Sequence, residues 1–280
     1  HDMESEFYGG IDPHLRHMPK ELVLPFLPPI IRERRDVEME PKQAKAYEQM
    51  RDLMLADLDK LLVATDPLTQ TGRLLQLASS YADVEEYEAE VLNKDTGQME
   101  TVTKQRLLFT DPSCKVDAFL DDMGDFGDES VVVFAVSRQL IELLSKKLEK
   151  LKIPHGLITG AQNTDERQQS MDDFQAGKTK LILVSVAAGG TGITLTKGSI
   201  AVFLQRPWSM VDSHQAEGRV HRIGSEQHSV VRIIDYVTLD TIEEQVFGAL
   251  EKKAEALEKI LRSKDLLRTM LTDGWVEISE

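Results

Sequence analysis

The chain has 280 residues and a mass of 31.5 kDa, with 41% apolar and 29% charged residues. That is enough to bury a real core and too ordinary for a collagen-like or wholly disordered chain. No apolar run reaches the roughly 18–20 residues that cross a bilayer. The start is polar and acidic rather than signal-like, and the single Cys114 has neither a disulfide partner nor neighbours at metal spacing. The expectation is a soluble, intracellular protein, with no zinc site of the Cys type. A formal net charge of −15 argues at first sight against nucleic acid. The stretch 150–235 is nevertheless mildly basic inside an acidic chain, which leaves room for an anionic ligand there.

In chain order, residues 1–40 carry Pro25, Pro28 and Pro29 and read as an extended leader or linker. Pro41 suits a first helical turn, and Ala44, Tyr47, Met50, Met54, Leu58 and Leu61 are spaced by three or four. This predicts a helix over 41–62. A second helix is expected over 71–81 after the Asp66-Pro67 break, and residues 93–97 read as a turn between two strands or as an insertion. The region 41–112 is therefore expected to be mainly helical and acidic, a surface through which a protein partner could be recruited. After Pro112, β-branched runs at 131–135, 157–159, 181–186, 200–204 and 230–236 alternate with helical patterns. Ser137 is placed to cap a helix with the inner stripe Leu140, Ile141, Leu144 and Leu148, and Thr164 one that stops at Gly177. Ser209 and Asp212 suit the start of a helix ending near Gly224, and Asp240 with Glu243 a capping box. Such alternation predicts an α/β fold with a parallel sheet covered on both faces, over 113–250, followed by a C-terminal helix and tail over 251–280.

In an open α/β sheet, ligands gather beyond the carboxyl ends of the strands. Behind the run 181–186 stand Gly189, Gly190 and Gly192. Missing side chains let backbone N–H groups approach a phosphate, although a tight turn needs glycine equally. The third glycine of a dinucleotide fingerprint is Leu195, so a Rossmann-type site is disfavoured. Gln215, Arg219 and Arg222 fall at i, i+4 and i+7. On one helix they would share a face, either solvated and paired with carboxylates such as Glu217 or acting as a phosphate clamp. Three decoys are set aside. Gly177-Lys178-Thr179 lacks the upstream glycine of a P-loop. His214 and His221 have no metal spacing, and Asp121, Asp122, Asp125 and Asp128 lack the closing Glu of a calcium loop.

Taken together, these pieces resemble a known family. VVVFAVSRQL (131–140), HGLITGAQNTDERQQSMDDF (155–174), LILVSVAAGGTGITL (181–195), QRPWS (205–209), QAEGRVHRIG (215–224) and TIEEQVF (241–247) occur in order. They resemble the second RecA-like lobe of Swi/Snf-type ATPases, the double-stranded-DNA translocases of helicase superfamily two. The resemblance implies a three-layer, parallel-sheet RecA-like (P-loop NTPase-type) lobe with helical N-terminal additions. It implies that Arg219 and Arg222 face ATP phosphates held by a first lobe, with Arg222 as the arginine finger and Gln215 orienting both, and that Gly190 and Gly192 border the nucleotide. It further implies that Ser137, Arg138, Gly160, Arg167, Ser185 and Thr191 lie along a DNA backbone. Three departures stand out: Thr194 in place of the usual Asn, Ser225 in place of Gln, and Gln205-Arg206-Pro207-Trp208-Ser209-Met210 in place of Asp-Pro-x-Trp-Asn-Pro. The sequence contains no Walker A lysine loop and no D-E-x-H box. The expectation is half of a motor: ATP with Mg bound mainly by the first lobe, duplex DNA as partner, and no turnover by this chain alone. The compartment would be cytoplasmic in a prokaryote or virus and nuclear in a eukaryote. The alternative is a RecA-like module that binds or regulates without catalysis.

Overall fold

Strands of four or five apolar residues can be buried on both faces only if helices cover both, and that is the arrangement found. A computed structural model describes residues 24–92, 97–188 and 192–262. Six parallel strands form one sheet in the order β1-β10-β9-β6-β8-β7: β1 (Ile30–Val37), β6 (Val131–Ala135), β7 (Gly156–Ile158), β8 (Leu181–Ser185), β9 (Ile200–Phe203) and β10 (Val231–Thr238). Alternate residues divide between two cores. Val131, Val133, Leu183 and Val202 pack under α3 (Cys114–Asp122) and α4 (Arg138–Lys150). Val132, Phe134, Val184 and Phe203 pack under α5 (Thr164–Gln175) and α6 (Met210–Val220). Four buried residues of α4, Leu140, Ile141, Leu144 and Leu148, form the expected stripe behind Ser137 as N-cap.

The edge strand β1 departs from the reading of this stretch as leader. Its sequence IIRERRDV is too charged to look like a strand. At a sheet edge, however, alternate side chains reach solvent, and the charges pair sideways. Arg232 on β10 grips Glu33 with two hydrogen bonds, at 2.7 and 3.0 Å. Arg32 reaches across to α6, as described below.

Residues 41–112 are half β rather than mainly helical. Helix α1 (Pro41–Leu53) stops because Met54 turns left-handed at φ 56°. The chain then folds into the hairpin β2 (Leu55–Asp57) and β3 (Leu61–Val63), whose Ala56 and Leu62 face inward. Leu58 and Leu61 continued the helical spacing by coincidence. Helix α2 (Pro67–Ser79) begins four residues earlier than expected, because Asp66 accepts the Thr69 backbone N–H at 2.9 Å and Pro67 fits the first turn. An antiparallel ribbon follows, β4 (Tyr81–Leu92) and β5 (Met99–Thr110). Its connection at 93–96 lies outside the described residues.

Two capping expectations shift. Asn163, not Thr164, caps α5, in a box with Glu166. The last helix, α7 (Ile242–Arg262), opens on Thr241, whose hydroxyl accepts the Glu243 N–H, while Asp240 is left-handed at φ 58°. Two compact units are distinguished, residues 28–247 and the pair of segments 1–27 and 248–280. Of the second, the described parts are residues 24–27, a turn closed by Leu27 N–H on the Leu24 carbonyl at 3.1 Å, and the later turns of α7.

Gly198, at the turn into β9, is held by close approach rather than by its dihedrals. A Cβ there would stand 2.7 Å from Val132 Cγ2 and 3.3 Å from the Leu195 carbonyl oxygen. Gly198→Ala is therefore expected to cost about 1–3 kcal/mol through overpacking and to lower the melting temperature by several degrees. An unchanged melting curve would mean that the β6–β9 contact is looser than described.

Candidate functional site

A cleft of about 790 Å³ opens beyond the carboxyl ends of β6, β8 and β9, where the chain order predicts a ligand. Val136 and Ser137 follow β6, Val186 and Ala187 follow β8, and Gln205 to Trp208 follow β9. Helix α6 supplies Asp212, Gln215, Ala216 and Arg219, and α2 supplies Leu75 and Gln76. Trp208 stands half out of the lip at 51% exposure.

The glycine-rich segment and the arginine segment meet. Leu195 N–H donates to the Arg219 carbonyl at 2.9 Å, and an Arg222 guanidinium nitrogen donates to Thr194 Oγ1 at 3.3 Å. A Cβ on Gly224, at φ 106°, would lie 3.0 Å from Thr196 Oγ1, so the turn after Arg222 is pressed onto the same segment. The expected single helical face is corrected, however. Helix α6 ends at Val220, with His221 at ψ 84°, so Gln215 and Arg219 belong to the helix and Arg222 to the turn beyond it. Gln215 and Arg219 line the cleft, whereas Arg222 is half-buried beside Thr194. The polypeptide stops winding here because His221 is drawn inward, its Nε2 bonded to the Pro28 carbonyl at 2.8 Å.

Glu217 does not serve the two arginines of this segment as a counter-ion in the way spacing allowed. It faces inward, 7% exposed, and is gripped by both nitrogens of the Arg32 fork at 2.8 Å and by Arg206 at 2.8 Å. Arg206 also holds Asp235 with two bonds, at 2.6 and 2.8 Å, and lies over the Phe203 ring at 4.1 Å. Burial alone would raise the Glu217 carboxyl. The guanidiniums of Arg32 and Arg206 outweigh it and hold this group at about 2. Burial pushes the deeper Asp235 upward in spite of the Arg206 fork.

A carboxyl held below its unfolded range contributes stability that is complete above about pH 4.5 and is lost as pH falls through the folded value near 2. For Glu217 the contribution is roughly 3 kcal/mol, and protonation of Asp235 acts in the opposite direction. Comparing urea unfolding of the wild type and Glu217→Gln between pH 5 and 2 isolates the Glu217 share. The wild type should lose its advantage over the variant across that window. A constant difference would contradict the burial and pairing of this carboxylate.

The other residues singled out from the sequence scatter. Ser137 lines the cleft, its N–H donating to Gln205 Oε1 at 2.8 Å. Ser185 ends β8 and is buried. Arg138 is exposed and bonded to Glu142 at 2.6 Å. Gly160 sits exposed after β7, and Arg167 Nε donates to the Gln162 carbonyl at 3.1 Å on α5. None of these last three lines the cleft. Gly192 is exposed at φ 68°; Gly190 and Thr191 lie outside the described residues. Among the described residues, no group of three or more His, Cys, Asp and Glu side chains could hold a metal ion, and no helix is long and apolar enough to cross a membrane.

Sequence reasoning did not find Arg206, Gln205, Arg32 or Lys115. Lys115 is 1% exposed, and its ammonium donates to the Leu204 carbonyl at 2.7 Å, the Tyr236 carbonyl at 2.9 Å and Glu243 at 2.7 Å. For Arg206 there was a signal: an arginine directly behind a buried apolar run and before Pro207 stands at a strand's carboxyl end.

Residues 115–224 match the helicase conserved C-terminal domain. A SWI/SNF-related matrix-associated actin-dependent regulator of chromatin, subfamily A-like protein 1, of Drosophila melanogaster is 33% identical over 130 residues, 46% of this chain and 17% of the fly protein. Residues 115–224 thus carry a helicase C-terminal domain, and the relatives that match it include SWI/SNF-related proteins. The ATP-dependent helicase fft1 of Schizosaccharomyces pombe is 29% identical over 161 residues, 54% of this chain and 17% of that protein. The matches thus span less than a fifth of the length of these curated relatives. The C-terminal part of the Fun30 ATPase domain superposes with a TM-score of 0.57 over 79% of this chain and 89% of that one, at 18% identity. It establishes a common RecA-like lobe architecture.

Proposed function

We propose that this lobe is the second half of a Swi/Snf-type, ATP-driven motor on double-stranded DNA, and that it delivers Arg219 and Arg222 to the phosphates of an ATP–Mg held by a first lobe. The observation that carries this reading is the junction of the glycine-rich and arginine segments, Leu195 N–H on the Arg219 carbonyl and Arg222 on Thr194. It ties the segment that follows the glycines to the stretch that carries both arginines, with Arg219 lining the cleft and Arg222 beside Thr194. Phosphoryl transfer spreads charge over equatorial oxygens, and planar guanidinium forks delivered across a cleft stabilise that charge without covalent chemistry. The Arg222 bond to Thr194 is long and neutral on the acceptor side, so a phosphate oxygen would displace the hydroxyl.

DNA would be gripped by Ser137 and by backbone donors of the segment 189–192, groups that position a duplex without reading its bases. Closing and opening against the first lobe would then couple turnover to stepping. The relatives' names, chromatin regulator and ATP-dependent helicase, accord with this. The test is ATP turnover by this lobe joined to its first lobe, with and without duplex DNA. DNA-stimulated hydrolysis by the joined lobes, and none by this chain alone, is the expected result. Equal turnover with and without duplex would reject the translocase reading.

A further inference from the structure

Three consecutive residues after β9 are each tied to a different part of the lobe. The Leu204 carbonyl accepts Lys115 from α3. Gln205 accepts the Ser137 N–H with its amide oxygen and donates from its amide nitrogen to Ser79 Oγ, at the end of α2, at 2.7 Å. Arg206 bonds Glu217 on α6 and Asp235 on β10. In place of an Asp-Pro pair, this chain has a residue here with an amide and a residue with a five-donor fork, and it uses both.

The consequence lies on α6. Gln215 and Arg219 are one turn apart and face the cleft; Glu217, two residues from each, is turned about 200° away and is buried. Rotation of the helix about its axis would carry Arg219 out of the cleft; besides the core packing of Ala216 and Val220 and the Ser213 bond to the Pro207 carbonyl, it is opposed by the charged grip of Arg206 and Arg32 on Glu217. Arg206 is itself fixed by the Asp235 fork and by Phe203 beneath it. A guanidinium held on three sides has little freedom left to lose when a ligand arrives.

We infer that Arg206 is a positioning residue that sets the rotation of α6, and thereby the place of Arg219 in the cleft, through a buried Arg206–Glu217–Asp235 clamp. The inference rests on the reading of Arg219 given under the proposed function. In the full-length protein, Arg206→Met should lower kcat for DNA-stimulated ATP hydrolysis roughly 10²-fold, with a smaller change in KM. The same substitution made on top of Arg219→Ala should cost less than about twofold, because the residue it positions has gone. Losses that multiply in the double variant would overturn the inference.

Hydrogen exchange gives a readout independent of turnover. In Arg206→Met, and in the isosteric Glu217→Gln should the first variant fold poorly, amides of α6 should exchange faster while those of β6 and β8 keep their protection. Unchanged exchange in α6 would also overturn it. If Arg219→Ala alone leaves turnover intact, the arginine reading fails instead, and exchange in α6 decides the positioning role by itself.

Discussion

Replacing Arg222 by alanine in the protein that joins this lobe to its first lobe should lower DNA-stimulated ATP turnover by roughly 10³- to 10⁵-fold, about 4–7 kcal/mol of transition-state stabilisation. Folding should be nearly untouched, since Arg222 is half-buried and, among the described residues, its side chain makes one hydrogen bond, at 3.3 Å to Thr194. Lysine should restore little, because a point charge cannot span two phosphoryl oxygens as a planar fork does. Thr194→Val separates the resting contact from the working one. It removes the hydroxyl that holds Arg222 in the lobe, yet should leave turnover within a few-fold of the wild type. A loss in Thr194→Val as large as in Arg222→Ala would mean that the contact within the lobe, rather than a phosphate, is what Arg222 serves.

The second large effect falls on stability. Lys115→Met should destabilise the lobe by about 3–5 kcal/mol, the cost of leaving a buried charge without its counter-ion. At about 2–4 °C per kcal/mol for a domain of this size, the melting temperature should fall by roughly 6–20 °C. Glu243 would keep the Thr238 N–H at 3.1 Å but lose the ammonium, and the Leu204 and Tyr236 carbonyls would lose a donor in a site closed to water. Adding Glu243→Met should recover most of the loss, since an apolar pair of similar volume does as well as a buried ion pair. A double variant as unstable as the single one would show that the carbonyl bonds, and not the ion pair, carry the effect.

The sheet was legible because strands buried on both faces must be continuous apolar runs, and 131–135, 181–186 and 200–204 are such runs. The segments that carry the site were legible as motifs. Their joining was not, because Leu195 N–H on the Arg219 carbonyl is a contact between residues 24 apart that no local pattern encodes. The end of α6 at Val220 was misread for a related reason. Arg222 keeps the spacing of a helical face, but His221 is held by a carbonyl at Pro28, 193 residues away.

Charged residues were the other blind spot. Arg32, Glu33 and Arg34 look like a solvated leader until α6, β10 and α7 supply Glu217, Arg232 and Glu244 as their partners, and Lys115 looks like any helical surface lysine until two strands and Glu243 close around it. In the same way the stripe of α1 ran on past Met54, because Leu58 and Leu61 satisfied the helical period while belonging to a hairpin loop and strand. Periodicity reports which side of an element is apolar. It does not report where a distant partner stops the element.

The most direct measurement is a structure of the full-length protein on duplex DNA with ADP and aluminium fluoride standing in for the transferring phosphoryl group. The account predicts that Arg222 leaves Thr194, and that the guanidiniums of Arg222 and Arg219 both come within about 2.7–3.2 Å of the fluoride or phosphate oxygen positions. Arg222 still bonded to Thr194, with Arg219 directed away from the nucleotide in the closed complex, would contradict it.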